Sequence, residues 1–302
     1  MKILDTIISK IENVNPVHAK KLKTNMSKQS PEYIQKANQF LEEYEVFAKD
    51  LNKDLDYGVD CYLKMLSDFT QEYMSFLRTN EYSTKSFEDA KKRVYNNPDV
   101  MEYYMHGLLL SQVLWVHHND IFLFFQNNLP HYKNQVNHYL EIGAGHGMYI
   151  SEALSIFNKN TKFDVVDISP TSIELSKRFI KNDNVNYILS DIFDFTPQDN
   201  DKYDFITMGE VLEHVEKPVE LLKKIKSLLK PNGVLFMTTP ANAPAIDHIY
   251  LFRNAEDIRQ VIYEGGFNIE KEITKFVEDV SPEMAEKLKI TLMYGAFLTQ
   301  KQ

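Results

Sequence analysis

Glu141-Ile142-Gly143-Ala144-Gly145-His146-Gly147 joins an apolar run, His138–Ile142, to a segment with helical apolar spacing, Met148–Phe157. Three alternating glycines let a backbone turn tightly and approach a ligand without a Cβ collision. The helix behind such a loop offers unpaired N–H groups to a carboxylate or phosphate. A strand, a glycine loop and a helix in that order define the first unit of a parallel sheet. The rest of the fold can be read outward from it.

Downstream, short β-rich runs alternate with helical ones. The strands fall at His138–Ile142, Lys162–Asp167, Val185–Leu189, Phe205–Met208, Val234–Thr238, Phe267–Thr274 and Thr291–Thr299. The helices fall at Met148–Phe157, Ser169–Ile180, Pro218–Leu229 and Asn254–Glu264, with Pro231-Asn232-Gly233 as a sharp turn into the fifth strand. This alternation predicts an α/β, Rossmann-like, doubly wound sheet flanked by helices. Upstream of Pro130 the rhythm changes to apolar recurrence at spacings of three and four, with glycine only at Gly58 and Gly107. That half reads as helices. Asn97-Pro98-Asp99 marks a helix start, and the aromatic stretch Val100 to Leu129 reads as one long helix or two. The expected division is 1–130, a helical domain serving as lid, substrate pocket or dimerisation surface, and 131–302, the cofactor-binding domain.

In a doubly wound sheet, ligands bind beyond the carboxyl ends of the strands. Four features fall there: the glycine loop; Asp167-Ile168, whose acid can accept both hydroxyls of a ribose; Ser190-Asp191-Ile192, an acceptor and an apolar wall suited to an adenine edge; and Met208-Gly209-Glu210, where glycine admits a ligand closely. Each acid alone is more simply a helix cap or a solvated loop acid. Four in order at successive strand ends are harder to explain that way. A nicotinamide dehydrogenase would also place an acid at Asp167. Its G-x-G-x-x-G fingerprint, however, puts the third glycine where this chain has Met148.

With these residues in place, the chain resembles the class I methyltransferase family over roughly Asn134 to Gln302. The passage Glu210-Val211-Leu212-Glu213-His214-Val215, followed by Leu-Lys-Pro-Asn-Gly-Val before the fifth strand, carries most of the resemblance. It looks like the small-molecule branch that includes quinone-biosynthesis methyltransferases. The resemblance implies a seven-stranded sheet with an antiparallel last strand and S-adenosylmethionine as cofactor. It implies Glu141 near the methionine amino group, Gly143, Gly145 and Gly147 lining methionine and ribose, Asp167 on the ribose hydroxyls and Asp191-Ile192 around adenine. Ile168, Gly209 and Glu210 complete the expected cofactor set.

Methyl transfer to a hydroxyl or amine also requires a proton to leave, which calls for a base or a metal. Glu210, Glu213 and His214 stand at i, i+3 and i+4, so a helix would gather them on one face. Asp247 and His248 follow the fifth strand near the same mouth. His214, His248 and Glu213 are the expected catalytic groups. Glu210, Glu213, His214 and His248 could instead hold a divalent metal, and they resemble the Glu-x-x-Glu-His arrangement of metal-dependent small-RNA 3′-end methyltransferases. A third reading gives the Glu-His pair a positioning role only. Tyr149 and Tyr250 are further pocket candidates, and His146 is expected to face solvent or cover the cofactor. The aromatic segment (Tyr103, Tyr104, His106, Trp115, His117, His118, Phe122, Phe124 and Phe125) reads as core between helices and sheet, or as a lid over the acceptor.

Composition bounds the partners. A net charge of −9 argues against broad nucleic-acid binding, which depends on Lys and Arg neutralising phosphates. The single cysteine, Cys61, allows no internal disulfide and reads as a packed thiol in a reducing, cytoplasmic setting. No segment reads as a signal peptide or a membrane span. The expected function is methylation of a small metabolite at O or N, with a homodimer through the N-terminal helices as a further expectation. The alternatives are a protein, peptide or RNA methyltransferase, or a non-catalytic cofactor-binding scaffold.

Overall fold

The computed structural model describes residues 2–198 and 201–301; Met1, Asp199, Asn200 and Gln302, where the resemblance ends, lie outside them. The predicted sheet is present. Its strands are β1 (His138–Ile142), β2 (Lys162–Asp167), β3 (Val185–Leu189), β4 (Tyr203–Gly209), β5 (Leu229–Ala241), β6 (Phe267–Phe276) and β7 (Leu292–Gln300). They lie in the order β3-β2-β1-β4-β5-β7-β6. The first five are parallel, and β7 runs antiparallel to both β5 and β6. The strand order reverses direction between β1 and β4, so the loops after these strands splay apart and open a crevice.

Central strands covered on both faces read as continuous apolar runs, and β1 is buried along its whole length. The sheet is flanked by α8 (Met148–Ile156), α9 (Pro170–Ile180), α10 (Pro218–Leu228) and α11 (Ala255–Glu264), with a short α12 (Pro282–Leu288) before β7. Several strand and helix ends differ from expectation by one or two residues, and the largest difference is in β5. β5 already pairs at Leu229 with Tyr203, and Pro231–Gly233 forms an irregularity within that pairing.

The upstream half is helical: α1 (Ile3–Val14), α2 (Pro16–Ser27), α3 (Pro31–Asp50), α4 (Leu55–Thr79), the single turn α5 (Phe87–Ala90), α6 (Pro98–Leu114) and α7 (Val116–Asn128). Asn97 caps α6 by accepting from the Val100 N–H. The aromatic stretch is two helices, bent by 80° at Trp115. The bend separates its tasks. α6 joins the core of the N-terminal helices, together with Leu175 of α9. α7 lies on the sheet, where Phe125 meets Phe236 at 4.6 Å and stacks near Phe297. Among the described residues no single helix is long and apolar enough to cross a membrane. Cys61 is buried on α4, as expected of a packed thiol.

Candidate active site

One cavity of about 1510 Å³ runs from the carboxyl ends of the strands to the N-terminal helices. Its floor includes Gly143 and Gly145 of the glycine loop, where φ is +65° and +51°. Residues with a Cβ rarely adopt such angles. A Cβ at Gly143 would also stand 2.8 Å from Val211 Cγ2. Asp167 lines the cavity beside this loop, accepting from the Ser169 N–H and the Ser172 hydroxyl, both at 2.8 Å. Ile168, Asp191 and Ile192 continue the wall. Asp191 Oδ1 accepts from the Phe193 N–H at 2.9 Å, which fixes the turn.

Gly209 and Glu210 close this end, with the Tyr149 ring packed where a side chain on Gly209 would stand. Glu210 has φ +52°, and its buried Oε1 has no hydrogen-bond partner. Burial pushes its carboxyl up to about 7. A crevice lined by acids and by positive-φ glycines suits a ligand carrying cationic groups and a ribose.

Three expected cofactor or catalytic residues do not reach the cavity lining. Glu141 is 1% exposed and accepts from the Tyr139 hydroxyl at 2.7 Å, one layer behind the loop. Gly147 turns the chain into α8, where a Cβ would meet Ile180 at 2.7 Å. Glu213 is wholly buried beneath His214 and His248. Tyr250 packs on Phe252 at 4.8 Å, away from the lining. His146 does line the cavity, and its Nδ1 accepts from the Met148 N–H at 3.2 Å.

The expected helical face Glu210–Glu213–His214 does not form. The Glu210 N–H donates to the Thr238 carbonyl and hydroxyl, both at 3.1 Å. The chain therefore leaves β4 still tied to β5 and makes only a 3₁₀ turn at Leu212–His214. Glu210 is excluded, and Glu213, His214 and His248 converge. One ligand atom from each lies within 4.8 Å of the others.

Hydrogen bonds set both imidazoles. His248 Nδ1 donates to the Ala243 carbonyl at 2.5 Å, leaving the Nε2 lone pair free. The Tyr95 hydroxyl donates to Asp247 Oδ2 at 3.2 Å, and His214 Nδ1 donates to the Tyr95 oxygen at 2.9 Å and the Asp247 carbonyl at 3.1 Å. The His214 Nε2 lone pair is thereby free as well. These nitrogens lie 3.5 and 3.8 Å from Glu213 Oε1. That oxygen is buried and has no hydrogen-bond partner, while Thr239 donates to Oε2 at 2.8 Å. Burial and the negative charges of Glu210 and Asp247 push the Glu213 carboxyl well above its usual range.

Tyr95 has no signal in the sequence, because the helical half supplies it from 119 positions upstream of His214. The other helices contribute in register: Met101, Tyr104, Met105 and Leu108 on α6 line the cavity at i, i+3, i+4 and i+7. Trp115, His117 and His118 at the α6–α7 bend join them, whereas Phe122, Phe124 and Phe125 pack in the core over the sheet.

A seven-stranded sheet of this order, with a glycine loop and acids at its strand ends, defines a Rossmann-like methyltransferase. Residues 118–272, just over half of the chain, match the family model described as a methyltransferase domain, and the chain belongs to that family. It is similar to the ubiquinone biosynthesis O-methyltransferase of Coxiella burnetii, 32% identical over 130 residues, or 42% of this chain and 53% of that one. It is also similar to the protein of that name from Glaesserella parasuis, 30% identical over 138 residues, or 44% and 57% of the two chains. The chain thus spans about half the length of the curated relatives it matches. Among solved structures, the mitomycin 7-O-methyltransferase MmcR shares the fold, with a TM-score of 0.53 over 77% of this chain and 67% of that one at 12% identity.

Proposed function

We propose that the protein methylates an oxygen of a small molecule, with Glu213, His214 and His248 as the group that receives the acceptor. The observation carrying this reading is the convergence of two free Nε2 lone pairs and one unpartnered carboxylate oxygen near the cavity. The names of the relatives support oxygen as the methylated atom. The cavity supports a small acceptor, because helices of the N-terminal half wall it in.

When bound, S-adenosylmethionine supplies an electrophilic methyl carbon on a sulfonium. The chain supplies alignment and exclusion of water. Gly143, Gly145, Asp167, Ile168, Asp191, Ile192, Gly209 and Glu210 hold the cofactor in this reading, with Glu141 and Gly147 supporting the loop from behind. In the same reading, a free imidazole Nε2 takes the proton that an acceptor hydroxyl must lose.

A second reading rests on the orphaned Glu213 Oε1. Two imidazoles held by Nδ1–H bonds and one carboxylate suit a divalent ion such as zinc or manganese, which would polarise the acceptor oxygen. Metal analysis and methyl transfer to a panel of hydroxylated small molecules test both. Glu213→Gln is expected to lower methyl transfer by about 10²–10³-fold while leaving adenosylhomocysteine binding unchanged. Loss of activity in EDTA, restored by one divalent metal, supports the ion; full activity without metal rejects it and leaves the imidazoles as bases. Unimpaired transfer in Glu213→Gln rejects both.

A further inference from the structure

Buried hydroxyls and carboxylates nearly always have hydrogen-bond partners, so those without one at a cavity wall point to a ligand. Tyr104 on α6 lines the cavity, and its hydroxyl is buried with no partner. Its neighbour Tyr103 is committed elsewhere, donating to Asp68 at 2.6 Å. Asp247, on the same cavity, uses Oδ2 to accept from Tyr95, and its buried Oδ1 has no partner. We infer that Tyr104 and Asp247 are specificity residues, the Tyr104 hydroxyl donating to the methyl acceptor and Asp247 Oδ1 accepting from it. The inference rests on the small-molecule reading above; Tyr104 stands on a helix outside the residues that match the family model, and Asp247 lies within them.

The surroundings narrow the acceptor further. Burial first, and then the Asp247 charge, hold the Tyr104 phenol well above its usual range, so it stays protonated and keeps a proton to donate to an acceptor oxygen. A carboxylate or phosphate on the acceptor would bring only hydrogen-bond acceptors to the unpartnered Asp247 Oδ1, which needs a donor. Phe69 lies 5.8 Å from Tyr104 and 6.0 Å from Trp115, forming an aromatic wall. The acceptor class is therefore uncharged and ring-bearing, with one hydrogen-bond acceptor and one donor.

The test uses two probes of one shape, 4-hydroxybenzamide and 4-hydroxybenzoate, titrated calorimetrically into the full chain saturated with adenosylhomocysteine. The amide is expected to bind at least about tenfold more tightly than the carboxylate, and Tyr104→Phe to lose about tenfold of the amide affinity. Tyr103→Phe is the control and should change it less than about twofold. Tyr104→Phe should keep its adenosylhomocysteine affinity and melt no lower than wild type, because the hydroxyl has no partner to lose within the fold. Equal affinity for the two probes, no binding of either, or undiminished amide binding in Tyr104→Phe overturns the inference. Failure of the broader reading looks different: wild type would bind the amide but transfer methyl to no hydroxylated compound.

Discussion

The sheet and the N-terminal helices line the same cavity with different materials. The strand ends offer loop backbone and acids: Gly143 and Gly145 at positive φ, then Asp167, Asp191 and Glu210. The helices offer side-chain stripes. On α4 these are Leu66, Phe69, Thr70 and Tyr73, and on α6 Met101, Tyr104, Met105 and Leu108. Backbone in a tight loop can serve one cofactor with little freedom to vary, whereas a helical stripe changes its chemistry with each substitution. The difference assigns the constant part of the reaction to the sheet and the choice of acceptor to the helices.

The cost of the sheet's site is buried charge, and pH should expose it. Burial pushes the Glu141 carboxyl up to about 8, against the pull of the Tyr139 hydroxyl bond. The unfolded value is roughly 4.3, so the folded state binds this proton more tightly. The stabilisation it gives is complete below the unfolded value and is lost as pH rises through the folded one. Between those limits the loss is at most about 1.4 kcal/mol per pH unit. Glu141→Gln keeps an acceptor for Tyr139 and removes the titration. Denaturant unfolding of the cofactor-free protein should show the variant gaining on wild type steadily between those two limits. Parallel stability curves would mean that the carboxylate is solvated or paired after all.

Much of this contrast could be read before the structure was known. β1, β2 and β3 run where their apolar residues end; β1, buried along its whole length, reads as one apolar run, whereas β3 at the sheet edge is partly exposed. The features at their tips follow from chain order. Glu213 shows the limit of spacing as evidence: i, i+3, i+4 suggested a helix, but Thr238 captures the Glu210 N–H and the helix never starts. Tyr95 was beyond reach for another reason. Its contact with His214 crosses between halves of the chain, and no local period encodes such a meeting, whereas Tyr104 belongs to the aromatic segment already read as core or lid.

The helical half should break through packing rather than charge. Gly58 on α4 faces Tyr44, whose hydroxyl would lie 2.1 Å from an added Cβ. Tyr44 cannot swing aside cheaply, being fully buried and bonded to His106 Nδ1 at 2.8 Å. Alanine favours helix by about 1 kcal/mol over glycine, yet overpacking commonly costs about 1–3 kcal/mol. Gly58→Ala is therefore expected to destabilise. Hydrogen exchange can locate the loss. Faster exchange in α1–α6 with unchanged sheet amides would make the halves separate cooperative units; equal acceleration in both would make the chain one.

The smallest effect belongs where the halves meet at the rim. Lys21 of α2 and Lys28 just beyond its end pair with Glu278 and Asp279, which follow β6, the second pair at 3.3 Å. All four residues line the cavity and are well exposed. Exposed pairs of this kind contribute about 0–1 kcal/mol and weaken with salt. They can bias the rim toward closure without locking it. Trp115 is the chain's single tryptophan and lines the same cavity, so its fluorescence reports ligand loss directly. Raising salt tenfold should speed adenosylhomocysteine release from wild type by no more than about threefold. The double variant Lys21→Ala/Lys28→Ala should release it faster at low salt and respond little to added salt. If both proteins answer salt alike, the two pairs do not restrain the rim, and the helices and sheet are coupled only through their buried contacts.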